Sequence, residues 1–208
     1  MKILITGGGG KFGTTFNKIN SKKYITPSRS ELNLSNTDSI LNFYKNNKDI
    51  DGIILGAKIN TVEVWNNSSN DLYKNFLKNE FEKSYSENIY NNFYLTELYS
   101  SRLQFIIYMT STFHYDEYFG YRVNKLAGEK FFLGLKTTDK FKNVDIKVVN
   151  PGHMDTESTY LSVCTKINNF IDDIDIEFIK NSDYFLLNNI GDEYVSYEEI
   201  KKYKNSNQ

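Results

Sequence analysis

The feature that most constrains what this chain can fold into is a glycine run placed directly behind its first apolar segment. Residues 1–6 read MKILIT and residues 6–13 read TGGGGKFG, with Gly7, Gly10 and Gly13 three apart. That spacing lets a backbone turn tightly, approach a diphosphate and pack a helix against a strand with no side chain between them. A helix starting near Lys11 then points its amide donors and the positive end of its dipole at the anion. A glycine-rich turn can also join strand to helix with no ligand at all. Position favours the ligand here, because the run follows an apolar strand and further strand-helix units stand behind it. A Walker-type loop is excluded, since no Gly-Lys-Ser or Gly-Lys-Thr follows at the required spacing.

Apolar runs recur along the chain with amphipathic stretches between them, the alternation of strand-helix-strand units around a mainly parallel sheet. Six strands are predicted, at 2–6, 22–26, 50–56, 103–110, 144–150 and 193–197. Ser35, three residues before Asp38, reads as the cap of a helix that carries Ile40, Leu41, Phe43 and Tyr44. Apolar residues at helical spacing fill 70–101, and 121–136 is a further helix with an apolar surface, part of which is expected to face a partner subunit. At 208 residues the economical reading is one α/β domain over 1–208. Its core is a doubly wound parallel sheet in a Rossmann-like α/β/α sandwich, with a short substrate-facing segment at about 151–170.

Composition removes several functions. The 25 basic and 26 acidic residues are interspersed, so no broad basic field exists for nucleic acid. Cys164 is the only cysteine, and His114 and His153 stand isolated. No disulfide or metal site is therefore expected, and a reducing, cytoplasmic location is. The apolar start is too short for a signal core or a bilayer span, so no membrane partner is expected.

Two segments carry the chemistry. An acidic residue at the end of the second strand would hold ribose hydroxyls and favour NAD, but residues 26–30 read TPSRS. Ser28 and Arg29 there are donors suited to the 2′-phosphate of NADP, which makes NADP the preferred cofactor over NAD. The segment YRVNK, at 121–125, sets Tyr121 and Lys125 four apart, on one face of a helix. An ammonium beside a phenol favours the phenolate and brings it toward acid-base work. The pair follows the strand at 103–110, whose end offers hydroxyls at Thr110, Ser111 and Thr112, where open α/β sheets bind ligands.

With NPGHMDT at 150–156, these segments stand in the order of a known family. An N-terminal glycine turn, a serine after a strand, a Tyr-x-x-x-Lys helix and a Pro-Gly turn together resemble the short-chain dehydrogenases/reductases. The resemblance implies that Tyr121 is the general acid or base, that Lys125 holds the nicotinamide ribose and tunes the tyrosine, and that Ser111 orients the substrate oxygen, with Thr110 and Thr112 as alternatives. Asn88, or else Asn91 or Asn92, would hold a proton-relay water. Pro151, Gly152, Met154 and Thr156 would line the nicotinamide pocket, with His153 and Thr112 near substrate. Gly56 and Ala57, in LGAK, stand where the family has Asn-Ala-Gly, and only the alanine is shared. The glycine spacing and RSELNLSN are similar to the branch that modifies nucleotide-linked sugars. The implied protein is an NAD(P)(H)-dependent oxidoreductase acting on a small carbonyl or alcohol, such as a sugar derivative, in a homodimer or homotetramer. The alternatives are an epimerase or dehydratase with bound NAD, and a non-catalytic NAD(P)-binding regulatory or scaffold protein.

Overall fold

The computed structural model describes residues 1–57, 82, 85–110, 119–152, 154, 156–174, 184–186 and 195–196, without the side chains of 119–122, 184–186 and 195–196. The described strands are β1 (Ile3–Ile5), β2 (Tyr24–Ile25), β3 (Gly52–Leu55), β4 (Phe105–Met109), β5 (Asp145–Asn150), β6 (Tyr184–Leu186) and β7 (Val195–Ser196). The helices are α1 (Lys11–Asn20), α2 (Thr37–Asn46), α3 (Asn91–Tyr99), α4 (Phe119–Leu135) and α5 (Glu157–Asp172), and a π-helical turn, Ser86–Tyr90, leads into α3. The seven strands pair in the order β2-β1-β3-β4-β5-β6-β7, every pair parallel. The chain is thus the doubly wound α/β fold expected of it.

Five of the six predicted strands correspond to β1–β5, the sixth to β7, and β6 is an addition. β1, β3 and β4 are continuous apolar runs because both faces of the sheet are covered, and β5 is interrupted only by Lys147, whose buried ammonium pairs with Asp145 at 2.9 Å. Ile3, Ile5, Ile54, Phe105, Ile107 and Met109 face α1 and α5, where Phe16, Val163, Ile167 and Phe170 complete one core. The alternate residues Leu4, Ile53, Leu55, Ile106 and Tyr108 face the other side and meet Ile40, Phe43, Leu95, Tyr99 and Phe132. A single-residue shift of any of these strands would exchange the two sets.

At the amino ends of the strands, Asp51 acts as a clamp. Its carboxylate accepts from the Lys2 amide and from Arg102 Nη2, both at 2.7 Å, and its backbone carbonyl accepts from the Gln104 amide at 2.8 Å. It thereby ties the approaches to β1, β3 and β4 together. Burial pulls its pKa upward, but the Arg102 and Lys2 hydrogen bonds outweigh this and hold the carboxyl below its usual range.

Cys164 is carried by α5 on its core-facing side, fully buried, with its Sγ 3.8 Å from the Phe12 carbonyl. Burial penalises the thiolate and pushes this thiol up to about 12. The folded protein should therefore leave Ellman's reagent unreacted at pH 8, with one thiol released on unfolding in guanidinium. Labelling of the native protein at the rate of a free cysteine would contradict that burial.

Candidate functional site

Between β2-β1 and β3 the chain reverses its direction across the sheet, and the loops beyond β1 and β3 diverge at that point. Open α/β sheets bind ligands in such crevices. The glycine turn is built for close approach. Gly7 has φ +77°, and a Cβ on it would lie 2.9 Å from Ala57 Cα. A Cβ on Gly8 would lie 2.2 Å from the Thr26 carbonyl carbon, and one on Gly13 would lie 2.3 Å from Gly8 Cα. Gly13 thus seats α1 against the turn, whereas Gly10 is the residue before α1 and caps it with no side chain. The amides of the first helical turn are left to an outside acceptor, and this cradle fits a diphosphate. Gly8 is as tightly enclosed as Gly13, a role that the three-residue spacing does not mark.

The cleft above the turn has a volume of about 610 Å³. Gly7, Gly10, Lys11 and Phe12 form its floor, with Gly56 and Ala57 from the loop after β3 alongside. The Ala57 amide donates to Thr6 Oγ1 at 3.1 Å, which holds that loop against β1. Leu32, Asn33, Leu34 and Ser35 make one wall, reached through Pro27, Ser28 and Arg29. At the other end stand Met109, Thr110 and Lys125, with Pro151, Met154 and Tyr160.

Ser28 is already engaged. Its amide and hydroxyl both donate to Glu31 Oε2 at 2.7 Å, and the hydroxyl bond, followed by the amide bond, holds that carboxyl below its ordinary value. The exposed Arg29 donates through Nη2 to Ser35 Oγ at 3.3 Å. The Ser35 hydroxyl in turn donates to Glu87 Oε1 at 2.6 Å. Asn36 is the cap of α2, accepting from the Asp38 and Ser39 amides, so the sequence expectation for Ser35 is displaced by one residue. Asparagine caps as well as serine, and Ser35 is thereby left for Glu87.

Lys125 is 4% exposed and donates through Nζ to the Met109 carbonyl at 2.8 Å. Nζ also stands 5.1 Å from the centroid of the Tyr108 ring. The helix approaches β4 this closely because Gly128 follows on the same face, where a Cβ would lie 2.1 Å from Tyr108 Oη. Tyr121 occupies α4 one turn before Lys125, and its side chain lies outside what is described. Ser111, Thr112, His114 and His153 also lie outside the described residues. Thr110 is buried and donates through Oγ1 to Glu129 Oε2 at 3.2 Å.

Asn88 sits in the π-helical turn, 2% exposed, and the Asn92 side-chain amide donates to the carbonyls of Glu87 and Asn88 at 3.1 and 3.0 Å. A π-turn inside a helix frequently marks a functional site. Asn88 is not among the residues lining the cleft. Asn150 Oδ1 accepts from the Gly152 amide at 3.0 Å, and Gly152 takes φ +71°, which forms the Pro-Gly turn and leaves Pro151 facing the cleft. Thr156 is the cap of α5, accepting from the Thr159 amide at 3.2 Å, and it does not line the cleft. Glu87, Ser35 and Tyr160 line it without having been read from the sequence. Nothing in the spacing of these three residues marked them as part of the cleft, Ser35 having been read only as a helix cap.

Among the described residues no group of three or more His, Cys, Asp or Glu could hold a metal ion, and no helix is long and apolar enough to cross a membrane. No family model matches the chain, and no curated protein matches its sequence. Solved structures do match in fold. A short chain dehydrogenase/reductase family protein aligns at a TM-score of 0.68 with 14% identity, over 95% of this chain and 96% of that one. A short chain dehydrogenase from Burkholderia cenocepacia in complex with NADP aligns at 0.65 with 14% identity, over 97% and 93%. An oxidoreductase of the same family from Brucella ovis, with a partially ordered NAD, aligns at 0.63 with 14% identity, over 87% and 95%.

Proposed function

We propose, from a fold shared with the short-chain dehydrogenases/reductases, that this chain is an oxidoreductase of that type. It would use NADP in preference to NAD and interconvert a carbonyl and an alcohol on a small molecule, such as a sugar derivative. The observation that carries this reading is one continuous cleft with the glycine cradle on its floor and the buried Lys125 ammonium, fixed at the end of β4, at the other end. The relatives bound to NADP and to NAD are consistent with the same cofactor class.

A bound nicotinamide dinucleotide would supply or accept the hydride. The residues of this chain do the rest. The turn from Gly7 to Gly13 and the start of α1 hold the diphosphate. Tyr121 gives a proton to the carbonyl oxygen in reduction and takes it back in oxidation. Lys125 holds the ribose and favours the phenolate. Ser111 orients the substrate oxygen, Asn88 supports a relay water, and the segment at about 151–170 faces the substrate, with Pro151, Met154 and Tyr160 in the cleft wall. Leu126, 43% exposed on α4, supports a homodimer or homotetramer through that helix, in the cytoplasm.

Arg29 supplies the NADP preference in this reading, since Ser28 has its donors on Glu31. Fluorescence titration with NADPH and NADH tests this. Arg29→Ala should weaken NADPH about 10- to 100-fold, the worth of a charge-assisted pair, and leave NADH nearly unchanged. Equal affinities before and after the substitution would remove Arg29 from the site. Uptake of neither dinucleotide by the wild-type protein would remove the whole reading.

A further inference from the structure

Glu129 is a buried carboxylate for which the proposed chemistry has no use. It is 3% exposed and follows Lys125 by one turn of α4, on the same face. Its Oε2 accepts from Thr110 Oγ1 at 3.2 Å, and its Oε1 stands 3.2 Å from Nζ of the exposed Lys130. Burying a carboxylate is costly even when it is paired, and packing alone would be served by an uncharged side chain of the same size. The charge at 129 is explained by what it holds.

Thr110 follows β4 and lines the cleft beside Met109 and Lys125. Its backbone is fixed, since its amide donates to the Val149 carbonyl at 3.0 Å. A hydroxyl has one proton and two lone pairs. Here the proton is directed at Glu129, so toward a ligand Thr110 offers lone pairs alone. It cannot donate to a carbonyl oxygen, and among the hydroxyls at 110–112 that task is left to Ser111 or Thr112. Thr110 can accept from an N–H or O–H group instead. With the diphosphate on the glycine turn, the part of a dinucleotide that extends toward Thr110 and Lys125 is the nicotinamide riboside, whose hydroxyls and carboxamide are such donors.

The same bond also ties helix to strand. Lys125 donates to the Met109 carbonyl at 2.8 Å, so two successive residues at the end of β4 are bound to two successive turns of α4.

We propose that Glu129 is a positioning residue of the reactive end of the cleft. By accepting the hydrogen bond of Thr110 it sets that hydroxyl as an acceptor for a donor on the nicotinamide-riboside half of the bound dinucleotide. This rests on the dinucleotide reading above.

The test titrates NADPH, and adenosine 2′,5′-bisphosphate, the adenosine half of NADPH that ends before the nicotinamide riboside, against the wild-type protein and its variants. Glu129→Gln, nearly isosteric, should weaken NADPH about 3- to 10-fold, the worth of one hydrogen bond, and leave the bisphosphate within about twofold. Thr110→Val should reproduce that pattern, and Thr110→Ser should bind as the wild type does. The double variant, Thr110→Val with Glu129→Gln, should be no weaker than Thr110→Val alone. A merely structural role for Glu129 would weaken both ligands alike. Parallel losses, an unchanged NADPH affinity in Glu129→Gln, or additive losses in the double variant overturn the assignment while the dinucleotide reading stands. No uptake of NADPH by the wild-type protein overturns both.

Discussion

Tyr121→Phe should lower turnover by about 10²- to 10⁴-fold, the usual worth of a positioned general acid, while the dissociation constant for NADPH changes by no more than about twofold. The substitution removes one hydroxyl from the first half of α4, leaving the glycine turn and Lys125 in place. Lys125 makes its own bond to the Met109 carbonyl, so its position does not depend on the phenol. Stopped-flow reduction of the preferred carbonyl substrate, with the cofactor titrated separately, distinguishes the two quantities. Undiminished turnover would take the proton-transfer role away from Tyr121 and favour a binding or scaffold protein.

Gly8→Ala is expected to have the largest effect on stability. The added methyl would lie 2.2 Å from the carbonyl carbon and 2.6 Å from the Cα of Thr26, both backbone atoms, so no side chain can rotate away. Overpacking of this kind costs about 3 kcal/mol, which for a chain of this length corresponds to a melting temperature lower by roughly 6–12 °C. Dinucleotide affinity should fall with it, because relieving the clash must move β2 or the turn. Gly9→Ala is the matched control. Its methyl would approach nothing closer than Ser28 Cα at 3.6 Å, an ordinary contact. Equal melting temperatures for the two variants would show that the turn is looser than these distances require.

How much of this was legible in the sequence follows from burial. β1, β3 and β4 are covered on both faces and read as uninterrupted apolar runs, and β5 does so apart from the buried Lys147. β6, Tyr184–Leu186, belongs to the apolar run YFLL at 184–187, which is too short for periodicity alone to tell a strand from a buried helical segment. The glycine turn was legible because its first contact is local: Gly7 must take positive φ, and its neighbours must allow a helix to start. Gly8 was not, since its constraint comes from Thr26 across the sheet. The α2 cap was misplaced by one residue because Ser35 and Asn36 have nearly equal capping preference, and tertiary contact with Glu87 decides between them. Glu87 itself was invisible for the same reason. One glutamate among many acidic residues is distinguished only by the wall it is folded against. Gly56 and Ala57, which match the family poorly as letters, fit closely as shapes, for Ala57 Cα is the atom that a Cβ on Gly7 would strike.

Asp51 gathers the amino ends of three adjacent strands, while the cleft opens at their other ends. The pin thus stands a strand's length from the cleft, roughly 17 Å for five residues at about 3.3 Å each. Loops on the upper rim can be rewritten, by drift or by an engineer, without loosening that pin. The chain's scope for acquiring new ligands is set at one pole of the sheet, and its tolerance of the attempt at the other.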